Sequence, residues 1–176
     1  IEHIRTLGVL GAGQMGGGIA HVAALAGYSV LLADISTEQA EKGKGAIAKR
    51  LARSVSKGRI TQEEADATVG RITPCTVADF GTVDFAIEAA TENVELKLKL
   101  FRQLDAVVPD GVILGSNTSS ISITKIGAVT KRPEKVIGMH FMNPVPVMKL
   151  VEVIRSLETS DEVVATTVAL AEAMGK

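Results

Sequence analysis

Gly8-Val9-Leu10-Gly11-Ala12-Gly13-Gln14-Met15-Gly16 joins an apolar run (Ile4, Leu7, Val9, Leu10) to a stretch of small residues, Gly17 to Ala26, that ends at Gly27. The apolar run reads as a buried strand and the small-residue stretch as a helix, so the glycines occupy the turn between them. Gly11 permits the tight turn, Gly13 lets backbone approach a pyrophosphate, and Gly16 allows the helix to lie close to the strand. The unpaired N–H groups at the helix start attract phosphate. A second apolar run, Val30-Leu31-Leu32-Ala33, ends in Asp34, 23 positions after Gly11. Its carboxylate is suited to accept hydrogen bonds from ribose hydroxyls. No Arg follows among Ile35, Ser36 and Thr37, so nothing is set to hold a 2′-phosphate, and the reading is NAD rather than NADP. A glycine triplet alone is a weak signal. Two strands, a helix and a terminal acid in this order make it a dinucleotide-binding fingerprint.

The 176 residues suffice for one domain with a real core. With 46% apolar and 3% aromatic residues and no Trp, that core must be aliphatic, which suits a parallel sheet covered by helices. A net charge of −1 argues against a nucleic-acid or membrane-surface partner. The single cysteine, Cys75, leaves no internal disulfide and no multi-cysteine metal site; it is expected to be buried, and no metal is expected. No apolar stretch is long enough to span a bilayer. Arg5, the apolar run and Ala23-Ala24-Leu25-Ala26 mimic a signal peptide, but the glycines and Asp34 account for these residues better.

Strand and helix patterns alternate along the whole chain. Strands are expected near 4–10, 29–34, 71–74, 83–89, 112–116, 136–140 and 149–154. Helices are expected near 15–26, 37–57, 61–69, 94–107, 121–129 and 160–174. Thr61 with Glu64 has the form of a capping box, Gly58 ends the preceding helix, and Ser160 caps the last one. The implied fold is α/β, a Rossmann-type doubly wound sheet, mostly parallel with a terminal antiparallel strand, in one domain over 1–176. Ligands of such sheets bind outside the carboxyl ends of the strands. The residues at those ends are Gly11–Gly16, Asp34, Ala89–Glu92, Ser116–Ser119 and His140–Asn143.

His140 and Glu152 stand 12 residues apart about a Pro-rich segment centred at Pro146. If the second strand returns antiparallel, they face each other, an imidazole beside a carboxylate that fixes its ring and favours its protonated form. Singly, each residue has a plainer explanation. Glu152 alternates with Val151 and Val153 as an outward residue of an edge strand, and Ser119 or Ser120 reads as a helix cap. Together, at the ligand end of a nucleotide-binding sheet, they favour chemistry. His3 and His21 read as solvent-facing or packing residues. The basic face of 42–57 (Lys44, Lys49, Arg50, Arg53, Lys57) reads as solvated, or as a holder for the phosphates of a substrate tail.

Four segments carry a resemblance to a known family: Gly11-Ala12-Gly13-Gln14-Met15-Gly16; Ile87-Glu88-Ala89-Ala90-Thr91-Glu92-Asn93; Ser116-Asn117-Thr118-Ser119-Ser120; and His140-Phe141-Met142-Asn143-Pro144-Val145-Pro146 with Lys149-Leu150-Val151-Glu152-Val153-Ile154. In this order, and over essentially the whole chain, they resemble the 3-hydroxyacyl-CoA dehydrogenases, 3-hydroxybutyryl-CoA dehydrogenases included. The resemblance implies an oxidoreductase of fatty acid β-oxidation or a related pathway. It would oxidise (S)-3-hydroxyacyl-CoA reversibly to 3-ketoacyl-CoA with NAD. It implies His140 as general base, Glu152 as its partner and Ser119 as a substrate contact near the nicotinamide. Glu92, Lys97, Ser119 and Asn143 would line the cofactor site beside the glycine turn and Asp34. Lys57 and Arg50 would meet coenzyme A. The family continues into a helical domain that completes the active site and forms a homodimer; that domain is expected outside these 176 residues. A cytoplasmic location is implied, or the mitochondrial matrix in a eukaryote. Two rival readings are an NAD-binding module without turnover and a dehydrogenase of a hydroxy acid not carried on coenzyme A.

Overall fold

The computed structural model describes residues 1–176. The apolar runs are strands: β1 (Thr6–Leu10), β2 (Ser29–Ala33), β3 (Ile72–Cys75), β4 (Phe85–Glu88), β5 (Ile113–Ser116), β6 (Val136–Phe141) and β7 (Val151–Arg155). The helices are α1 (Gln14–Leu25), α2 (Thr37–Ser56), α3 (Gln62–Gly70), α4 (Val94–Val107), α5 (Ile123–Gly127) and α6 (Asp161–Ala173). All seven strands form one sheet in the order β3-β2-β1-β4-β5-β6-β7. Every neighbouring pair is parallel except β6 with β7. This is the doubly wound sheet with an antiparallel end that the strand–helix alternation implies. No helix is long and apolar enough to cross a membrane.

Both faces of the sheet are covered, which is why the central strands are apolar throughout. Leu7, Val9, Val30, Leu32, Phe85 and Ile87 pack with Ile19 of α1, Ile47 and Leu51 of α2 and Leu170 of α6. The alternate residues Leu10, Ala33, Ala86 and Leu114 pack with Phe101 and Leu104 of α4 and Ile126 of α5. The chain leaves β1 toward β2 and β3, then returns to β4 on the other flank of β1. The loops after β1 and β4 therefore border the crevice where such folds bind ligands.

Helix ends follow the anticipated punctuation in most places. The Thr61 hydroxyl accepts from Glu64 N–H, the Ser160 hydroxyl from Val163 N–H, and Gly58 turns the chain at φ +71°. α5 departs from expectation. It is shorter than 121–129 and is capped by Ser122, not by Ser119 or Ser120. The cause is local: Thr118 Oγ1 accepts from the N–H groups of Ser120 and Ile121, which turns the chain before the helix can start. Two 3-10 turns, Val77–Thr82 and Pro133–Lys135, carried no periodic signal. Cys75 is buried as expected, and burial followed by the charge of Asp79 pushes its thiol up to about 11.

Gly11 adopts φ +112°, a conformation L side chains rarely take, and its N–H donates to Ala33 O at 2.8 Å. Gly16 lies directly on this turn, so a Cβ there would overlap the carbonyl oxygen of Gly11. Gly16→Ala is therefore expected to cost at least about 2 kcal/mol, read by urea unfolding; unaltered stability would show that strand and helix have room to separate.

His21, in α1, is buried, and its Nδ1 has no hydrogen-bond partner. Burial first, then the charges of Arg50 and Lys176, lower its pKa from 6.5 to about 4. Below pH 6.5 the unfolded chain takes a proton that the folded chain refuses. Stability is therefore full above that pH and falls, by up to about 3 kcal/mol, as pH drops toward 4. His21→Leu is expected to flatten this acid limb in urea unfolding at pH 7 to 4. An equal slope in both proteins would assign the loss to other groups.

Candidate active site

The glycine turn presents backbone rather than side chains. Gly13 caps α1 with no side-chain hydrogen bond, and the first turn of the helix holds no acid. A Cβ on Gly13 would meet nothing within 4 Å, so the space over the orphan helix N–H groups is open. Asp34, at the end of β2, accepts from Ala12 N–H (2.8 Å) and Ile35 N–H (2.7 Å), which fixes its carboxylate against the turn. Gly11, Gly13, Gln14, Met15 and Asp34 all line one cavity of about 460 Å³. Ala12 and Gly16 form the turn beneath it. An open cradle of N–H groups beside a fixed carboxylate fits a dinucleotide's phosphates and ribose.

Met15, Ala89 and Ala90 are shared with a second cavity of about 360 Å³, so the two are contiguous. The second is lined by Glu92, Lys97, Asn117, Ser119, His140 and Asn143, among others. The residues expected around His140 thus converge, with Glu152 just behind. β6 and β7 pair with His140 directly opposite Glu152, as the symmetry about Pro146 requires. His140 Nδ1 lies 3.0 Å from Glu152 Oε1. The His140 side chain is 20% exposed and that of Glu152 53%, so one imidazole edge stays reachable while the carboxylate holds the other. If Nδ1–H donates to Glu152, Nε2 is left as a proton acceptor.

A buried network under the second cavity was not foreseen. Glu88, the last residue of β4, is fully buried. Its Oε1 receives Ser116 Oγ–H (2.8 Å) and pairs with Lys97 Nζ (3.0 Å), while its Oε2 accepts from Ala90 N–H (2.8 Å) and Thr91 N–H. Lys97, equally buried, also reaches Glu92 at 3.2 Å. The hydroxyls of Thr118, Ser119 and Ser120 donate to Glu92 Oε2. Partial burial opposes the charge of Glu92. The hydrogen bond and charge of Lys97, with the hydroxyls of Thr118 and Ser120, outweigh it and hold the carboxyl below its usual range. The signal available in sequence was a lone acid closing the apolar run Phe85–Ile87. A second unforeseen contact is Asn117 Oδ1, which accepts from Phe141 N–H at 2.7 Å. It ties β6 to the end of β5 one residue beyond His140.

Two expected residues stay apart from these cavities. Lys57 caps the end of α2, exposed. Arg50 rests against α1 near Gly17, and its Nε and Nη2 are buried without partners. The face of α2 is thus not simply solvated: one of its guanidinium groups lacks the acceptor it calls for.

The family model described as the NAD-binding domain of 3-hydroxyacyl-CoA dehydrogenase matches residues 6–176. The probable 3-hydroxybutyryl-CoA dehydrogenase of Bacillus subtilis (strain 168) is 51% identical over 174 residues, which are 98% of this chain and 61% of that one. The 3-hydroxyadipyl-CoA dehydrogenase of Escherichia coli (strain K12) is 46% identical over 99% of this chain and 37% of its own. The crystal structure of (S)-3-hydroxybutyryl-CoA dehydrogenase from Ralstonia eutropha matches with a TM-score of 0.96 at 48% identity, covering 98% of this chain and 62% of that one. The chain spans about three fifths of the Bacillus and Ralstonia proteins.

Proposed function

The chain belongs to the NAD-binding domain family of the 3-hydroxyacyl-CoA dehydrogenases, and we propose that it carries the cofactor site and the proton-transfer pair for reversible oxidation of (S)-3-hydroxyacyl-CoA to 3-ketoacyl-CoA. The observation that carries this reading is the His140–Glu152 pair, 3.0 Å apart, on a cavity continuous with the glycine turn. Bound NAD would accept the hydride from the hydroxyl-bearing carbon. His140 takes the hydroxyl proton at Nε2, and Glu152 stabilises the imidazolium that results. Ser119 donates a hydrogen bond to the substrate oxygen; Glu92, Lys97 and Asn143 border the nicotinamide side. Asp34 takes the ribose hydroxyls, and the amides of Gly11 to Gly16 take the pyrophosphate.

A coenzyme A tail gives exposed Lys57 an anionic partner; Arg50, whose Nε and Nη2 are enclosed, offers it only the rest of its guanidinium. The names of the Bacillus and Ralstonia relatives favour a short acyl chain such as 3-hydroxybutyryl. The remaining length of those relatives is consistent with a further domain that closes the cleft and supports a homodimer.

General-base catalysis contributes about 10²–10⁴-fold. In the full gene product, His140→Gln is therefore expected to lower kcat by that factor, read as NADH formation from 3-hydroxybutyryl-CoA, with NAD affinity nearly unchanged. Parallel loss of cofactor affinity would give His140 a binding role instead, and equal turnover of free 3-hydroxybutyrate would remove coenzyme A from the reading. Asp34→Ala is expected to weaken NAD binding about ten-fold or more in calorimetric titration; an unaltered titration would overturn the ribose assignment.

A further inference from the structure

The ionisable side chains under the cofactor cavity do not cancel. Glu88 and Lys97 are both buried and 3.0 Å apart, one charge of each sign. Glu92 is a second acid on the same ammonium at 3.2 Å, so the three together carry one net negative charge. That surplus is exposed to a ligand in one place only. Both oxygens of Glu88 are engaged beneath the surface by Lys97, Ser116 and the amides of Ala90 and Thr91. Glu92 lines the cavity with its side chain half exposed. Three hydroxyls lie 3.1, 3.4 and 3.1 Å from its Oε2, donors that a carboxylate oxygen can accept from. The other acid near this cavity, Glu152, faces His140 across β6 and β7, outside that network.

A net charge in a cavity wall matters most for a ligand whose own charge changes. The nicotinamide ring carries a positive charge when oxidised and none when reduced, while the rest of the dinucleotide is unaltered. We propose that Glu92 discriminates between the redox states of the cofactor, its surplus charge holding the oxidised ring more tightly, relative to the reduced one, than a neutral wall would. This rests on the reading that the cavity takes NAD. By linkage, the bound couple is shifted toward its oxidised form, and the drive for hydride release to a ketone substrate rises accordingly. Glu92 is partly solvated, so the effect is a modest one, about three- to ten-fold in relative affinity.

The test is a pair of titrations, NAD+ by calorimetry and NADH by fluorescence, on the wild type, Glu92→Gln, Glu92→Asp and Glu95→Gln. Glu95 is an exposed acid in the first turn of α4, outside the cavity lining, and serves as the distant charge. The ratio Kd(NAD+)/Kd(NADH) is expected to rise about three- to ten-fold in Glu92→Gln, to stay near wild type in Glu92→Asp and Glu95→Gln, and to move less at high salt. Equal weakening of both forms in Glu92→Gln would reduce Glu92 to an uncharged contact and overturn the inference. So would a Glu92→Asp ratio as displaced as that of the glutamine variant. Wild-type protein that binds neither form would instead overturn the proposed function.

Discussion

The carboxylate of Glu88 sits at the end of β4 with no access to solvent, and the walls of the cavity are arranged around its needs. An unpaired ionised group in that position would be untenable, and removing one partner of such a pair typically costs about 3–5 kcal/mol. Each group that satisfies it belongs to a different part of the site. Ala90 and Thr91 bring the loop after β4, Ser116 brings the end of β5, and Lys97 brings the first turn of α4. Lys97 in turn draws in Glu92, which gathers the hydroxyls of Thr118, Ser119 and Ser120. One buried charge thus welds together three segments that sequence separates.

The histidine is oriented by a different device. β6 leaves β5 after Gly138, and its far end would hang free on that side but for Asn117, whose side-chain oxygen takes the N–H of Phe141. On the other side, β7 sets Glu152 opposite His140. The ring is held through its backbone from one flank and through its Nδ1 from the other. That double hold gives a small, adaptable side chain a fixed direction, which the proposed reaction, with two centres to align, demands.

Most of the architecture was legible because each central strand is a short aliphatic run and each connection carries its own punctuation. The crevice followed from the glycine turn and Asp34, and the His140–Glu152 pairing from their equal distance to Pro146. What escaped reading depends on contacts across sequence. Resemblance alone puts Lys97 at the cofactor site, and its burial against Glu88 arises from the packing of α4 on the sheet. Ser119 and Ser120 look like caps because hydroxyls near a helix start usually are. Here Thr118 takes the local amides and Glu92 takes the serine hydroxyls, a competition that spacing alone does not reveal. Arg50 likewise offers a charge pattern but no hint that its guanidinium would be half enclosed and bare.

Glu152 stands on β7, the outermost strand, which is bonded to a single neighbour. Border strands open more readily than interior ones, because half of their main-chain groups have nothing to hold them. The cofactor cradle, by contrast, is built on β1, β2 and β4 in the interior. Mild denaturant should accordingly separate two parts of one crevice, loosening the edge proposed to handle protons while the proposed dinucleotide seat keeps its shape.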